Sequence, residues 1–168
     1  LYYANRVFQL PLAIFAIATS IALFPMIAKA IKNKDENRAL HLMKKSSLIL
    51  FAVLSTSMLI GIVFNEFIVK LLFERGAFNS VDTQNTALIL TMYLMGLLPF
   101  GLAKIFSLWL YANEQQYLSA KISMKSLAWN IVFSLILIKP YGAAGLAFAS
   151  TLSGFILFFL TIKAFGFN

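Results

Sequence analysis

Long apolar stretches constrain the fold of this chain more than any other feature of its sequence. Five of them, at residues 4–28, 46–65, 86–111, 119–138 and 143–163, are long enough to cross a bilayer as helices, which takes about 20 residues each. Only 12% of the residues are charged, whereas a soluble domain has about a quarter. The sequence therefore predicts an all-α integral membrane protein with five transmembrane helices, and argues against a soluble globular domain.

Positive charge is concentrated at one end of the predicted helices. The segment 29–45 carries Lys29, Lys32, Lys34, Arg38, Lys44 and Lys45, and Lys104, Lys121, Lys125 and Lys163 fall on the same side. By the positive-inside rule this side is cytoplasmic, so we expect a cytoplasmic loop at 29–45 and a periplasmic segment at 66–85. The net charge of +8 thus indicates topology and contact with membrane lipids, and we expect no nucleic acid partner.

The periplasmic segment predicts a short amphipathic helix on the outer surface. Phe67, Ile68, Leu71 and Leu72 recur at helical spacing before a break at Gly76. Asn79 or Ser80 then caps the next helix, with Asp82 in its first turn. We therefore expect a surface helix, a tight turn and entry into the third membrane helix.

Two polar residues, Arg6 and Gln9, interrupt the first apolar stretch, "YYANRVFQLPLAIFAIATSIALF". An arginine stays charged, and its cost at the bilayer centre is about 3 kcal/mol on the insertion scale. At helical spacing the face of Arg6 and Gln9 continues through Ala13, Ala16 and Ser20, so we predict that it lines a cavity or packs on protein. The alternative is that Arg6 snorkels to the outer headgroups.

Prolines and glycines mark two predicted bends. Pro11 has no amide hydrogen, so the carbonyl of Val7 loses its helical partner and the first helix should kink there. In "GLLPFG", Pro99 removes another backbone hydrogen bond, and Gly96 and Gly101 lower the helix propensity. These four residues are candidate hinges, and kinks that serve packing alone are the alternative.

The fourth and fifth helices carry complementary faces. Ser119, Ser123, Ser126, Asn130 and Ser134 form one stripe, and Ala143, Ala147, Ser150 and Gly154 form a face of small residues. The connection "IKPYGAAG", with Pro140 and Gly142, predicts a short outer hairpin that makes the two helices antiparallel neighbours. Asn130, Ser134 and Ser150 would then converge as a candidate site for a small cation such as sodium, and hydrogen-bonded helix packing is the alternative.

Four segments are familiar in combination: "YYANRVFQLPLAIFAIA", "LLFERGAF" followed by "DT", "YLMGLLPFGLAKIFSLWLYA" and "GAAGLAFASTLS". Together they resemble the MurJ/MviN family, the bacterial lipid II flippases of the multidrug/oligosaccharidyl-lipid/polysaccharide exporter superfamily. The resemblance implies that the chain forms most of the second lobe of a two-lobe transporter with a central cavity. It also implies that Arg6 is the family's cavity arginine, which meets the substrate diphosphate, with Gln9 on the same face. Asn5 departs from the aspartate of many relatives and cannot pair ionically with Arg6.

The function that the resemblance implies is translocation of undecaprenyl-pyrophosphate-linked peptidoglycan precursor, lipid II, across the bacterial inner membrane by alternating access. The partners would be this lipid-linked sugar, membrane lipids and the missing first lobe. No cofactor is expected, and sodium or the membrane potential would supply the energy. Because the chain starts at Leu1 without a signal peptide, we expect it to be a portion of a longer protein.

Three alternatives remain at this point. One is an exporter of polysaccharide units or drugs from the same superfamily, and another is a scaffold without cargo. The third is an intramembrane enzyme acting on lipid phosphate, which needs a nucleophile, an acid/base pair or metal-binding carboxylates at membrane depth. The acidic residues Glu66, Glu74, Asp82 and Glu114 are predicted at the surface, so we expect no enzymatic activity and no metal site.

Overall fold

The computed structural model describes residues 1–76 and 78–166, and helices form almost all of this part of the chain. The elements are α1 (Tyr2–Pro11), a π-helical segment (Leu12–Ile17), α2 (Ala18–Lys32), α3 (Glu36–Val63), α4 (Asn65–Phe73), α5 (Ser80–Leu94), α6 (Leu97–Ala112) and α7 (Gln116–Phe165). Four helical stretches are long and apolar enough to cross a membrane: Tyr2–Lys32, Glu36–Val63, Ser80–Ala112 and Gln116–Phe165. The predicted all-α membrane fold is confirmed.

The longest helix, α7, is a hairpin of two arms. Gly142 interrupts it with φ 53° and ψ −129°, a conformation that glycine adopts without a steric penalty. Ser126 of the first arm (116–141) donates its hydroxyl to the backbone carbonyl of Ser153 in the second arm (143–165) at 2.7 Å. The two arms therefore pack side by side, as the hairpin at Pro140 and Gly142 predicts.

The basic segment 29–45 is not a loop, contrary to the prediction. Helix α2 continues to Lys32 and α3 begins at Glu36, which leaves a turn of residues 33–35. Asp35 caps α3 by accepting a hydrogen bond from the backbone amide of Arg38 at 3.1 Å. Ala30 and Met43 are buried on either side of the turn. The helices extend past the apolar stretches because their packing faces continue there.

The first membrane span changes its helical geometry directly after Pro11. The amide of Ala18 donates to the carbonyl of Ala13, five residues back, as in a π-helix. Ala4, Phe8, Ala16 and Ser20 are buried at intervals of four residues or multiples of four. In an α-helix a face repeated every four residues drifts by about 40° per step, and the wider π turn offsets this drift and keeps the buried side chains on one side.

Because of the π segment, the predicted face of this span is wrong in its second half. Arg6, Gln9 and Ala13 are exposed, but Ala16 and Ser20 are buried, so the five residues do not share a face. The exposed side of the span continues instead through Ile17 and Ile21. We call Arg6, Gln9, Ala13, Ile17 and Ile21 the exposed stripe.

The predicted bend in "GLLPFG" coincides with a break between α5 and α6 at Met95 and Gly96. The amide of Gly96 bonds the carbonyl of Tyr93, and the hydroxyl of Thr151 on α7 donates to the carbonyl of Met92. Pro99 lies in the first turn of α6, where its missing amide hydrogen interrupts no helical hydrogen bond.

Gly101 is not a kink position, because α6 is continuous around it. A Cβ on Gly101 would lie 2.2 Å from Cδ1 of Leu54 on α3, and Leu54 is fully buried. Gly101 thus permits α3 and α6 to approach closely, and its sequence signal reflects packing.

The outer segment connects α4 to α5 through a turn. The predicted cap of α5 is confirmed: Asn79 accepts from the backbone amide of Asp82 at 3.1 Å, and the Asp82 carboxylate accepts from the backbone amide of Asn79 at 3.1 Å. Before the turn, α4 buries Val69 and exposes Phe67 and Leu71. This exposure is typical of a helix that lies at a membrane surface.

Candidate functional site

Arg6 is an exposed cation that has no carboxylate partner within the described residues. Its neighbours Ala4 and Phe8 are buried, and Phe8 stacks on Tyr93 at a ring-centre distance of 5.6 Å. These contacts fix the orientation of α1 and leave Arg6 on the opposite, exposed side. Among residues 1–76 and 78–166 one salt bridge is found, between Lys70 and Glu74 at 3.9 Å, so Arg6 keeps an uncompensated positive charge.

Gln9 lies one turn after Arg6 and is also exposed. Asn5 is half-buried, and its backbone amide bonds the carbonyl of Leu1 at 3.0 Å. The guanidinium carbon of Arg6 lies 5.0 Å from the centre of the Tyr2 ring. This distance is within the range of a cation–π contact, and such a contact does not use the N–H groups of the guanidinium as a salt bridge would, so they can donate to an anion.

A cleft of about 690 Å³ opens farther along the same exposed side, between the first membrane span, α6 and α7. Ile17, Ile21 and Phe24 form an apolar wall, and Lys104 and Ser107 of α6 belong to the opposite wall. Tyr111, Gln116 and Ser123 add polar groups, and in the described part of the chain no acidic residue lines the cleft. The cleft can therefore accommodate an amphipathic molecule with an anionic group.

Sequence reasoning missed this cleft as a site. From the sequence, Lys104 was used only as a marker of the cytoplasmic side, but this residue is exposed toward the cleft with Ser107 and Tyr111 on the same helix. Their spacing of three and seven residues places the three side chains on one helical face. The sequence therefore contains a signal for this polar face of α6, but it does not show which helices form the opposite wall of the cleft.

Arg6 does not line the cleft, so the recess predicted beside it is not part of this cavity. The exposed stripe connects the two, because Ile17 and Ile21 belong both to the stripe and to the cleft wall. Ser20, at the cleft, lies about 20 Å from Arg6 along the helix axis at the usual rise per residue. The chain thus presents Arg6 at one end of an exposed side and Lys104 near the other.

The structure brings together two of the three residues of the predicted cation site. Asn130 donates its side-chain amide to the hydroxyls of Ser150 at 3.4 Å and Ser153 at 3.2 Å. No hydrogen bond joins Ser134 to this group among the described residues. The hydrogen bonds satisfy these polar groups within the protein and favour the packing alternative. The sodium site itself stays a prediction.

The comparison with protein families identifies the chain. The family model "Lipid II flippase MurJ" matches residues 1–167. The chain belongs to the lipid II flippase MurJ family. It is 54% identical over its whole length to a Helicobacter pylori (strain J99) protein described as "Probable lipid II flippase MurJ". It is 34% identical over 157 residues to a Rhizobium meliloti (strain 1021) protein with the same description.

A solved structure, "Lipid II flippase MurJ, inward closed conformation", has the same fold, with a TM-score of 0.85 and 26% sequence identity. The match covers 96% of this chain and 34% of that chain. The two curated relatives are likewise matched over 36% and 29% of their length. The chain therefore spans about a third of the MurJ proteins that it matches, and it is part of a multi-pass membrane protein.

Proposed function

We propose that this chain is the part of a flippase that contacts the anionic headgroup of lipid II during its transfer across the bacterial inner membrane. Membership of the MurJ family supports the substrate. The observation that carries the proposal is the exposed Arg6, which has no carboxylate partner among the described residues. An uncompensated guanidinium in a membrane span suits a diphosphate, because its N–H fork binds two phosphate oxygens at once.

In this mechanism the exposed stripe and the cleft form one wall of a central cavity, and the missing first lobe supplies the other wall. Arg6 binds the diphosphate at the periplasmic end with Gln9 as an additional donor. The cleft around Lys104 is the cytoplasmic part of the same wall, because the basic segment 29–45 is on that side by the positive-inside rule. The lobes expose the cavity alternately, and no covalent bond is made or broken.

Two irregular positions would absorb the bending of the lobe. The π segment follows Pro11 directly, and the break at Gly96 divides α5 from α6. Helix irregularities of this kind are common at functional hinges. The Thr151 hydroxyl that bonds the Met92 carbonyl holds the second position in the observed conformation.

The energy source in this proposal is the membrane potential acting on the cationic cavity. Moving one elementary charge across 100 mV is worth about 2.3 kcal/mol. Sodium bound near Asn130, Ser134 and Ser150 is the second candidate, and the hydrogen bonds of Asn130 to Ser150 and Ser153 weigh against it.

The test is translocation of lipid II by the full-length protein in proteoliposomes. We expect Arg6→Ala to abolish translocation, and Arg6→Lys to retain part of it because a lysine keeps the charge but not the bidentate geometry. The matched control is Arg38→Ala, which removes an exposed arginine at the opposite end of the molecule. Wild-type rates in both Arg6 variants would refute the role of this residue.

A further inference from the structure

Tyr2 is the side chain that contacts the guanidinium of Arg6. The two residues are four apart on α1, so their side chains meet on one side of the helix. The distance of 5.0 Å from the guanidinium carbon to the ring centre lies within the range of about 6 Å for a cation–π contact. No hydrogen bond or ion pair of the Arg6 side chain is found within the described part of the chain, so the ring is what restricts its orientation.

Tyr2 is itself held by an aromatic cluster that reaches the outer turn. Its ring meets the ring of Tyr3 edge-to-face at 5.7 Å. Tyr3 packs on Phe73 at 4.7 Å and on Phe78 at 5.6 Å. Phe73 ends α4 and Phe78 lies after the turn. Phe73 and Phe78 thus support the start of α1 and, through Tyr2, the position of Arg6.

An aromatic belt at the membrane interface explains exposed tyrosines in general. It does not account for a tyrosine ring against the guanidinium of the residue one turn later. The ring lies within cation–π range of the guanidinium, whose N–H groups make no hydrogen bond within the described residues and can donate to phosphate oxygens. Restriction of the Arg6 side chain before binding lowers the entropy cost of binding an anion.

We propose that Tyr2 is a positioning residue for Arg6, and that its ring holds the guanidinium ready for the phosphate groups of the lipid-linked substrate. This inference rests on the proposed function of Arg6. It assigns to Tyr2 a role in substrate affinity that requires the aromatic ring and not the hydroxyl.

The experiment measures lipid II translocation by the full-length protein in proteoliposomes over a range of lipid II densities. Tyr2→Leu removes the ring, and we expect the half-saturating density to rise about 2- to 5-fold, the factor that corresponds to an exposed cation–π contact. Tyr2→Phe keeps the ring and is expected to match the wild type. Tyr141→Leu is the control, because Tyr141 is a comparably exposed tyrosine in the outer hairpin, 66% against 65% for Tyr2.

A spectroscopic readout separates positioning from a general loss of structure. In arginine-labelled protein the Arg6 Nε–H resonance is expected to carry a ring-current shift in the wild type and in Tyr2→Phe, and to lose it in Tyr2→Leu.

An unchanged half-saturating density in Tyr2→Leu would overturn the positioning role. So would an equal loss of translocation and thermal stability in Tyr2→Leu and Tyr2→Phe. If Arg6→Ala is inactive while Tyr2→Leu behaves as the wild type, only this inference fails. If Arg6→Ala transports normally, the proposed function fails with it.

Discussion

Gly145→Ala tests how closely the two arms of α7 must pack. Gly145 is buried in the second arm, and a Cβ placed on it would lie 2.3 Å from the backbone carbonyl oxygen of Leu137 in the first arm. The shortest ordinary C···O approach is about 3.3 Å, so the arms must separate by roughly 1 Å at this point. A backbone carbonyl cannot move aside as a flexible side chain can.

The loss of stability in Gly145→Ala can be worked out from the hydrogen bonds that join the two arms of α7 and that their separation would break. Ser126 bonds the carbonyl of Ser153, and Asn130 bonds the hydroxyls of Ser150 and Ser153. At about 1 kcal/mol for each of these bonds, their loss costs about 3 kcal/mol. Alanine regains about 1 kcal/mol of helix propensity relative to glycine. We expect a net destabilisation of about 2 kcal/mol.

Hydrogen exchange of the full-length protein in lipid nanodiscs provides the assay. Gly145→Ala should speed amide exchange in both arms of α7 and lower the thermal unfolding temperature. The control is Ala143→Ser, an exposed position two residues earlier in the same arm. If Gly145→Ala exchanges as slowly as the wild type, the close approach of the arms does not stabilise the hairpin.

Two further substitutions test other polar contacts between helices. Thr151→Val leaves the Met92 carbonyl without its partner, so we expect a loss of about 1–3 kcal/mol and faster exchange around the break between α5 and α6. Thr56→Val is the control, because this exposed hydroxyl bonds only within its own helix, and equal exchange in both variants would refute the role of Thr151. The hydrogen bonds of Asn130 favour helix packing over ion binding, so we expect amide hydrogen exchange in α7 to be equally slow in sodium and potassium buffers. Asn130→Ala should exchange faster than the wild type in both. Protection by sodium alone would instead establish the predicted cation site.

Local signals predicted much of this fold. The length of each apolar stretch sets the membrane spans, and turn chemistry marks the hairpin at Gly142 and the cap at Asn79. These features depend on neighbouring residues in the chain, so the sequence is sufficient to find them.

Features that depend on tertiary contacts were not predicted. The π segment after Pro11 shifts the exposed face by one position, so Ala16 and Ser20 turn inward. Asn130 and Ser150 were expected to meet, but the second hydrogen-bond partner, Ser153, was missed. Ser153 lies three residues after Ser150 on the same helical face, which is a signal in the sequence, but the register of the two arms decides which serine Asn130 reaches.

The exposed stripe is the central claim of this account, and its access to water and substrate is the most direct test. Ala13 belongs to the stripe, so Ala13→Cys in an otherwise cysteine-free full-length protein leaves Arg6 intact. We predict that a water-soluble thiol reagent labels this position and that lipid II slows the labelling. Leu59→Cys, at an exposed position on α3 that we assign to the lipid face, should remain unlabelled. Labelling of Ala13→Cys no faster than that of Leu59→Cys would mean that the stripe faces acyl chains, and would contradict a cavity on this side.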